Sequence, residues 1–260
     1  EEHHAKGGNA SVHYAYDEKN CIANATDIML DQMMCSVPAQ QILADAGGGS
    51  TEARAERLLA SFDAMDQMME LFYQHKGLTN SFEKNTPAAV VKANSLPSQH
   101  LNIRYARMFA GAFMYAAGNH IGIEWGSVPG LAQGAPYVLD GDGARVSGSL
   151  FGWGIGHEIG HNINQAQYAY SEVTNNYFAQ LSQTDGTSAS ARFSYDDVYD
   201  RVTSGDEGRT GSVFTQLAMY WQLRLAYDAG GAYQLYDTYQ QAFDNRFFAR
   251  VDSYARAPKT

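Results

Sequence analysis

The sequence predicts an α+β fold, a small mixed or antiparallel sheet followed by a mainly helical lobe with a cleft between them. Three observations carry this reading. Residues 100–123 contain two apolar stretches, with partial alternation at Ile103, Tyr105 and Met108, as half-buried strands do. Leu58, Leu59, Phe62, Met65, Met69 and Phe72 repeat at helical spacing, and the segments 213–227 and 232–243, either side of Gly230-Gly231, are apolar enough for two late helices. Between the strands and those helices stands His157-Glu158-Ile159-Gly160-His161, in which side chains four apart share one face of a helix.

Taken in chain order, Val12, Tyr14 and Tyr16 alternate within residues 8–20 and predict a short strand. Residues 24–45 read as helix interrupted at Pro38. Gly47-Gly48-Gly49-Ser50 reads as a loop whose Ser50 caps a helix running from Thr51 to Gly77. Met65, Met68 and Met69 fill the core behind that helix. His100–Met108 and Ala112–Ile123 are the expected strands, and Gly126–Gly148 is a glycine-rich loop. Its Asp140-Gly141-Asp142-Gly143 reads as a tight turn, because the rest of a calcium-loop pattern is missing. Thr184–Arg192 is a polar loop. The chain divides into an N-terminal, mainly helical part (1–99) and a core (100–260), as one continuous domain or two closely packed lobes.

Composition bounds the function. With 45% hydrophobic and 12% aromatic residues in 260, the chain is globular. A net charge of −10 and a pI near 5.2 argue against a nucleic-acid partner that needs a basic surface. No apolar run approaches the roughly 20 residues that span a bilayer. Glu1-Glu2-His3-His4 carries neither an initiating Met nor a signal-peptide pattern and is expected to be a processing boundary. Cys21 and Cys35 are too few for a disulfide framework; they either pair or stay as small buried thiols.

The five-residue motif carries the chemistry. With 8 His and 11 Glu in the chain, about 0.01 chance matches to His-Glu-x-x-His are expected. Both imidazoles can reach one metal ion while Glu158 projects beside it as general base, the arrangement of a zinc hydrolase. A run containing Gly152, Gly154 and Gly156 leads into it; each glycine costs a helix about 1 kcal/mol relative to Ala, so packing or metal must hold this helix. Gly160, between the two histidines, leaves room for a neighbouring backbone or a substrate. The first acidic residue downstream of His161 is Glu172, after a gap that lets one helix end and a second bring Glu172 back as third ligand. Asn176, one turn further, is a candidate to orient a ligating histidine, or else an ordinary polar residue.

Gly152-Trp153-Gly154, then His157 to Asn162, then Glu172-Val173-Thr174-Asn175-Asn176 resemble the catalytic module of the enhancin-like, M60-like zinc metallopeptidases, a gluzincin family with a His, His, Glu zinc set. Tyr115–Ile123 looks like the strand before that family's metal helix and Leu217–Leu223 like its later core helix, so the resemblance covers most of residues 100–245. It implies a zincin-like fold, one catalytic Zn2+ and an extracellular, secreted or cell-surface peptidase for mucin-type, O-glycosylated proteins. It also implies carbohydrate-binding or other domains attached outside this module.

In that reading His157, His161 and Glu172 hold zinc, and Glu158 takes a proton from the attacking water and returns one to the leaving amine. Tyr195, Tyr199 and His120 are the candidate oxyanion donors. A cleft-edge strand near Asn119–Ile123 is expected to pair with extended substrate. Asn119 is thus a candidate substrate contact, as is Trp125, the best placed tryptophan for stacking on a sugar; Trp153 and Trp221 read as core. Two alternatives stay open: a glycoprotein-binding module with a vestigial metal site, and a zinc amidohydrolase for non-peptide amides.

Overall fold

The computed structural model describes residues 2–4, 11–13, 24–44, 46–108, 111–139, 141, 145–147, 150–183, 192–204, 212–228 and 246–257. Strands β1 (Glu2–His4), β2 (Ser11–His13), β3 (Ala25–Met29), β4 (Met33–Pro38), β5 (Leu101–Tyr105), β6 (Met114–Ala117) and β7 (His120–Ile123) form one sheet in the order β1-β2-β3-β4-β5-β7-β6. The β4–β5 and β5–β7 pairs are parallel and the remainder antiparallel. Helices α1 (Ala39–Ala44), α2 (Thr51–His75) and α3 (Ala88–Asn94) precede β5. A 3₁₀ helix (Trp125–Ala132) and a hairpin of β8 (Val138–Leu139) and β9 (Arg145–Ser147) follow β7. Helices α4 (Trp153–Ile163), α5 (Thr174–Gln183), α6 (Tyr195–Thr203), α7 (Val213–Tyr227) and α8 (Phe247–Arg256) make the helical part of this α+β fold.

The main departure from the sequence reading lies in residues 24–45, where β3 and β4 replace most of the expected helix and only α1 is helical. Met33, Cys35 and Val37 alternate with less buried neighbours, a period of two that suits a central strand flanked by partners on both sides. Pairing of Met33–Ser36 with Leu101–Arg104 carries the sheet across residue 99/100. Likewise, residues 126–148 contain the 3₁₀ helix and hairpin rather than loop throughout. The Ala112–Ile123 stretch folds as two strands joined at Gly118-Asn119, where Gly118 takes φ +56°, a left-handed turn that favours glycine. The edge of the sheet is therefore β6; β7, expected as the edge, is interior.

Other expectations meet the structure directly. The helix from Thr51 is α2, and Ser50 Oγ accepts from the Ala53 N–H as its cap. Met65, Met68 and Met69 are fully buried and share one core with Cys35, Ile103, Ile121, Ile123 and Trp221. Cys35 is a free thiol, pushed up to about 12 by burial first and then by the Asp66 charge. Cys21, Tyr14, Tyr16, the 232–243 segment, residues 184–191 and most of the Asp140–Gly143 turn lie outside the described residues. No helix of the described residues is long and apolar enough to cross a membrane.

Two buried polar groups brace the helices behind the motif. Lys76, at the end of α2, pairs with Asp252 of α8 at 2.7 Å, both buried. His75 Nδ1 meets Asp228 Oδ2 at 3.2 Å, and its Nε2 lies 2.8 Å from the Tyr177 hydroxyl on α5. Burial, then the Arg224 and Lys76 charges, drives the His75 pKa well down, so the ring is neutral and Nε2 accepts from Tyr177.

One half-buried acid of α2 gives the fold an expected pH dependence. Asp66 accepts from the Asp31 N–H at 3.1 Å. Burial, then the Asp31 charge, raises its carboxyl from 3.8 to about 6, with the Asp31 amide opposing and Asp63 adding. A folded pKa above the unfolded one means stability present below about pH 4 that is lost as pH rises through 6. Asp66→Asn retains an acceptor and removes that charge, so thermal unfolding should show the variant more stable than wild type at pH 7–8, with the difference vanishing near pH 4.

Candidate metal centre

The centre is built by the close approach of α4 and α5. Helix α4 starts at Gly152, which supplies no side-chain cap. Its glycines act through packing instead. A Cβ at Gly156 would stand 2.9 Å from Ala179 Cα and Ser182 Oγ, and one at Gly160 would stand 2.5 Å from Asn175 O and 2.7 Å from Asn175 Cα. These two glycines, four apart, form the stripe into which the α5 backbone sits. The neighbouring backbone anticipated at Gly160 is thus that of Asn175.

That approach sets three residues against the histidines. Glu172 lies in the turn ahead of α5, not on the helix, with φ +62°, a left-handed conformation that costs a non-glycine residue on the order of 1–3 kcal/mol. Its Oε2 is 3.3 Å from His157 Nε2 and its Oε1 is 3.2 Å from His161 Nε2. Asn176 Oδ1 accepts from His157 Nδ1 at 2.6 Å and from Trp153 Nε1 at 2.9 Å, while its Nδ2 donates to the Glu172 carbonyl at 2.6 Å. With the proton fixed on Nδ1, the His157 Nε2 lone pair faces Glu172. Asn175, which the sequence did not single out, is also fully buried against both rings.

The donor set fits a divalent cation. Ring nitrogens of His157 and His161 and a Glu158 carboxylate oxygen lie within 4.8 Å of one another. Two donors on one tetrahedral zinc, each at roughly 2.0–2.1 Å, stand about 3.3 Å apart. The Glu172 oxygens keep that separation from the two Nε2 atoms. Two neutral imidazoles and one carboxylate are, besides, the ligand chemistry zinc prefers at a three-ligand site.

Glu158 is 8% exposed, on the same helix. Burial raises its pKa; the His157 and His161 imidazoles oppose that, Glu172 adds to it, and a hydrogen bond from the Ala116 backbone lowers it. Edge strand β6 therefore holds the carboxyl in place. Asn162 Nδ2 ties the end of α4 to the β6–β7 turn, donating to Gly118 O at 2.7 Å and to His120 O at 3.3 Å.

The other sequence-selected residues lie as follows. His120 Nε2 is engaged by Arg104 at 2.8 Å and by the Tyr115 hydroxyl at 3.4 Å. Tyr195 opens α6 with its ring on Phe193, and Tyr199 is 68% exposed on the same helix. Asn119 Nδ2 donates to His100 O at 2.9 Å within the turn. Trp125 is 39% exposed, edge-on to Tyr105 at 5.7 Å, whereas Trp153 and Trp221 are buried.

The sequence profile of peptidase M60, enhancin and enhancin-like, matches residues 26–255. The chain belongs to this family. The M60 assignment agrees with solved structures sharing the fold. A functionally unknown conserved protein of Bacillus anthracis aligns with a TM-score of 0.58 and 16% identity over 91% of this chain and 41% of that one. A metallopeptidase in complex with Tn antigen gives 0.56 and 16% over 92% and 39%. The M60 catalytic domain of Clostridium perfringens ZmpC, in complex with the sialyl T antigen, gives 0.51 and 18% over 91% and 40%. The chain thus spans about two fifths of the length of each. No curated protein sequence matches it. Family membership implies a metal ion, and His157, Glu158 and His161 form a possible site for one.

The glycine stripe yields a direct test. Gly160→Ala drives a methyl into the Asn175 backbone, and overpacking of this kind costs about 1–3 kcal/mol. Chemical denaturation should report that loss, and equilibrium metal titration should report weaker binding, because Asn175, Asn176 and Glu172 retreat together. An alanine variant with wild-type stability and metal affinity would show that α5 does not need the close approach.

Proposed function

We propose that this M60 chain is a zinc-dependent endopeptidase acting outside the cell on O-glycosylated, mucin-like proteins. The observation that carries the reading is the Glu172 carboxylate set against both histidine Nε2 atoms, with the buried Glu158 carboxyl beside them. His157, His161 and Glu172 are the ligands in this reading. A zinc ion there supplies Lewis acidity, lowering the pKa of a water toward about 7 and polarising the scissile carbonyl.

The rest of the reaction falls to the chain. Asn176 keeps the His157 proton on Nδ1. Glu158, tethered by the Ala116 amide, accepts the proton of the attacking water and hands one to the departing amine nitrogen. Burial raises its pKa, which favours the protonated form it holds between those two transfers. Strand β6 is an edge of the sheet beside the same carboxyl, so an extended substrate adding to that edge brings its peptide bond to Glu158. Tyr195, Tyr199 and His120 remain the oxyanion candidates, and Asn119 and Trp125 the substrate contacts.

The glycoprotein preference is supported by the relatives bound to Tn and sialyl T antigens. Structures of Clostridium perfringens ZmpB that hold CBM51 or CBM32 domains beside the M60 catalytic domain support further, carbohydrate-binding domains beside this module. A secreted or cell-surface location follows from such a substrate.

Glu158→Gln should bind one zinc per chain and lose turnover by about 10²–10⁴-fold, the usual worth of a general base. Wild-type turnover in the zinc-loaded variant would remove Glu158 from the mechanism. On a panel of matched peptides with and without Ser/Thr-linked N-acetylgalactosamine, mass spectrometry should find cleavage next to the sugar and loss of cleavage with chelator. Equal cleavage of the bare peptides would refute the glycan requirement while leaving the peptidase intact.

A further inference from the structure

His157 and His161 are not held alike. His157 Nδ1 is fixed by Asn176, but among the described residues no hydrogen bond reaches His161 Nδ1. Histidines that ligate metal almost always have a partner on their other ring nitrogen; the polar contacts of His161 are instead to its Nε2, from Glu172 and Asn175. The Asn175 side chain is 0% exposed. Its Nδ2 lies 3.0 Å from His161 Nε2, and 3.2 and 3.3 Å from Nδ1 and Nε2 of His157. Near-equal distances to both nitrogens of one ring put the amide across the His157 ring, not in line with either lone pair. The two imidazoles stand 4.8 Å apart and nearly perpendicular, at 84°, with this amide against both.

The backbone under Asn175 has no freedom to withdraw, because it is the segment seated against Gly160. Its Oδ1 is buried and, among the described residues, without a hydrogen-bond partner. A buried amide with an unsatisfied end costs stability, as expected of a group kept for its site and not for the fold. We propose that Asn175 is a positioning residue of the metal centre: its buried carboxamide, packed against both imidazoles, limits where the two rings can lie. Asn176 performs the corresponding task for His157, so consecutive residues on α5 serve the two ligands of α4. This inference rests on the metal centre proposed above.

The test is a Co2+ titration of the full chain after chelator treatment, with affinity from chelator competition and geometry from the visible absorption of the bound ion. Asn175→Leu, close in volume but without donors, and Asn175→Ala should weaken Co2+ by about 10–100-fold, the usual effect of losing an orienting partner, and alter the absorption bands. A residue that only supported the fold would lower the melting temperature of the metal-free protein and leave affinity and bands unchanged. Leu and Ala variants that match wild type in both therefore overturn the inference. If neither folds, Asn175→Gln, one methylene too long for that position, must shift the bands, and wild-type bands in that variant overturn it equally. A wild-type chain that takes up no Co2+ overturns the metal centre itself, and the inference with it.

Discussion

Everything at the centre depends on two helix backbones coming closer than ordinary side chains allow. Gly156 and Gly160 open one stripe of α4, and α5 enters it until Asn175 O is 2.5 Å from where a Cβ would stand. These glycines weaken α4 as an isolated helix, and tertiary packing makes up the deficit. In return, Glu172, Asn175 and Asn176 arrive together, because they occupy one short segment at the start of α5. The strained Glu172 backbone fits this picture: its left-handed turn lets the carboxylate reach back to α4 just before the helix begins.

The remainder of the molecule keeps that segment in place from behind and in front. Behind it, Tyr177 follows Asn176 directly and is tied to the neutral His75, itself tied to Asp228. This buried chain joins α2, α5 and the end of α7, so α5 is clamped between α4 and the core. In front, edge strand β6 hydrogen-bonds Glu158, and Asn162 secures the β6–β7 turn to the end of α4. The sheet edge and the helix that carries the motif are thereby one mechanical unit.

Much of the site was legible in the sequence because its spacing is local. Residues four apart on a helix share a face, so His157 and His161 converge whatever the surrounding fold, and Glu172 follows as the first acid within reach. Asn176 was visible for the same reason, one turn beyond Glu172. Asn175 gave no such signal: a buried amide and an exposed one look alike in a sequence, and only the Gly160 contact turns it inward. The misread segment 24–45 is a related case. Short apolar stretches suit helix or strand equally, and the choice in favour of β4 came from its two flanking partners, one of them 68 residues away at Leu101.

The sequence by itself determined the α+β class, the α2 helix with its Ser50 cap, and the shared helix face of His157 and His161, since each depends on neighbours within a turn or two of chain. Tertiary structure alone decided which strand forms the sheet edge, which amides touch the imidazoles and how Glu158 is anchored. Those features arise where segments distant in sequence pack at van der Waals distance, and backbone approach of that kind is fixed by the whole core and by no single stretch of chain.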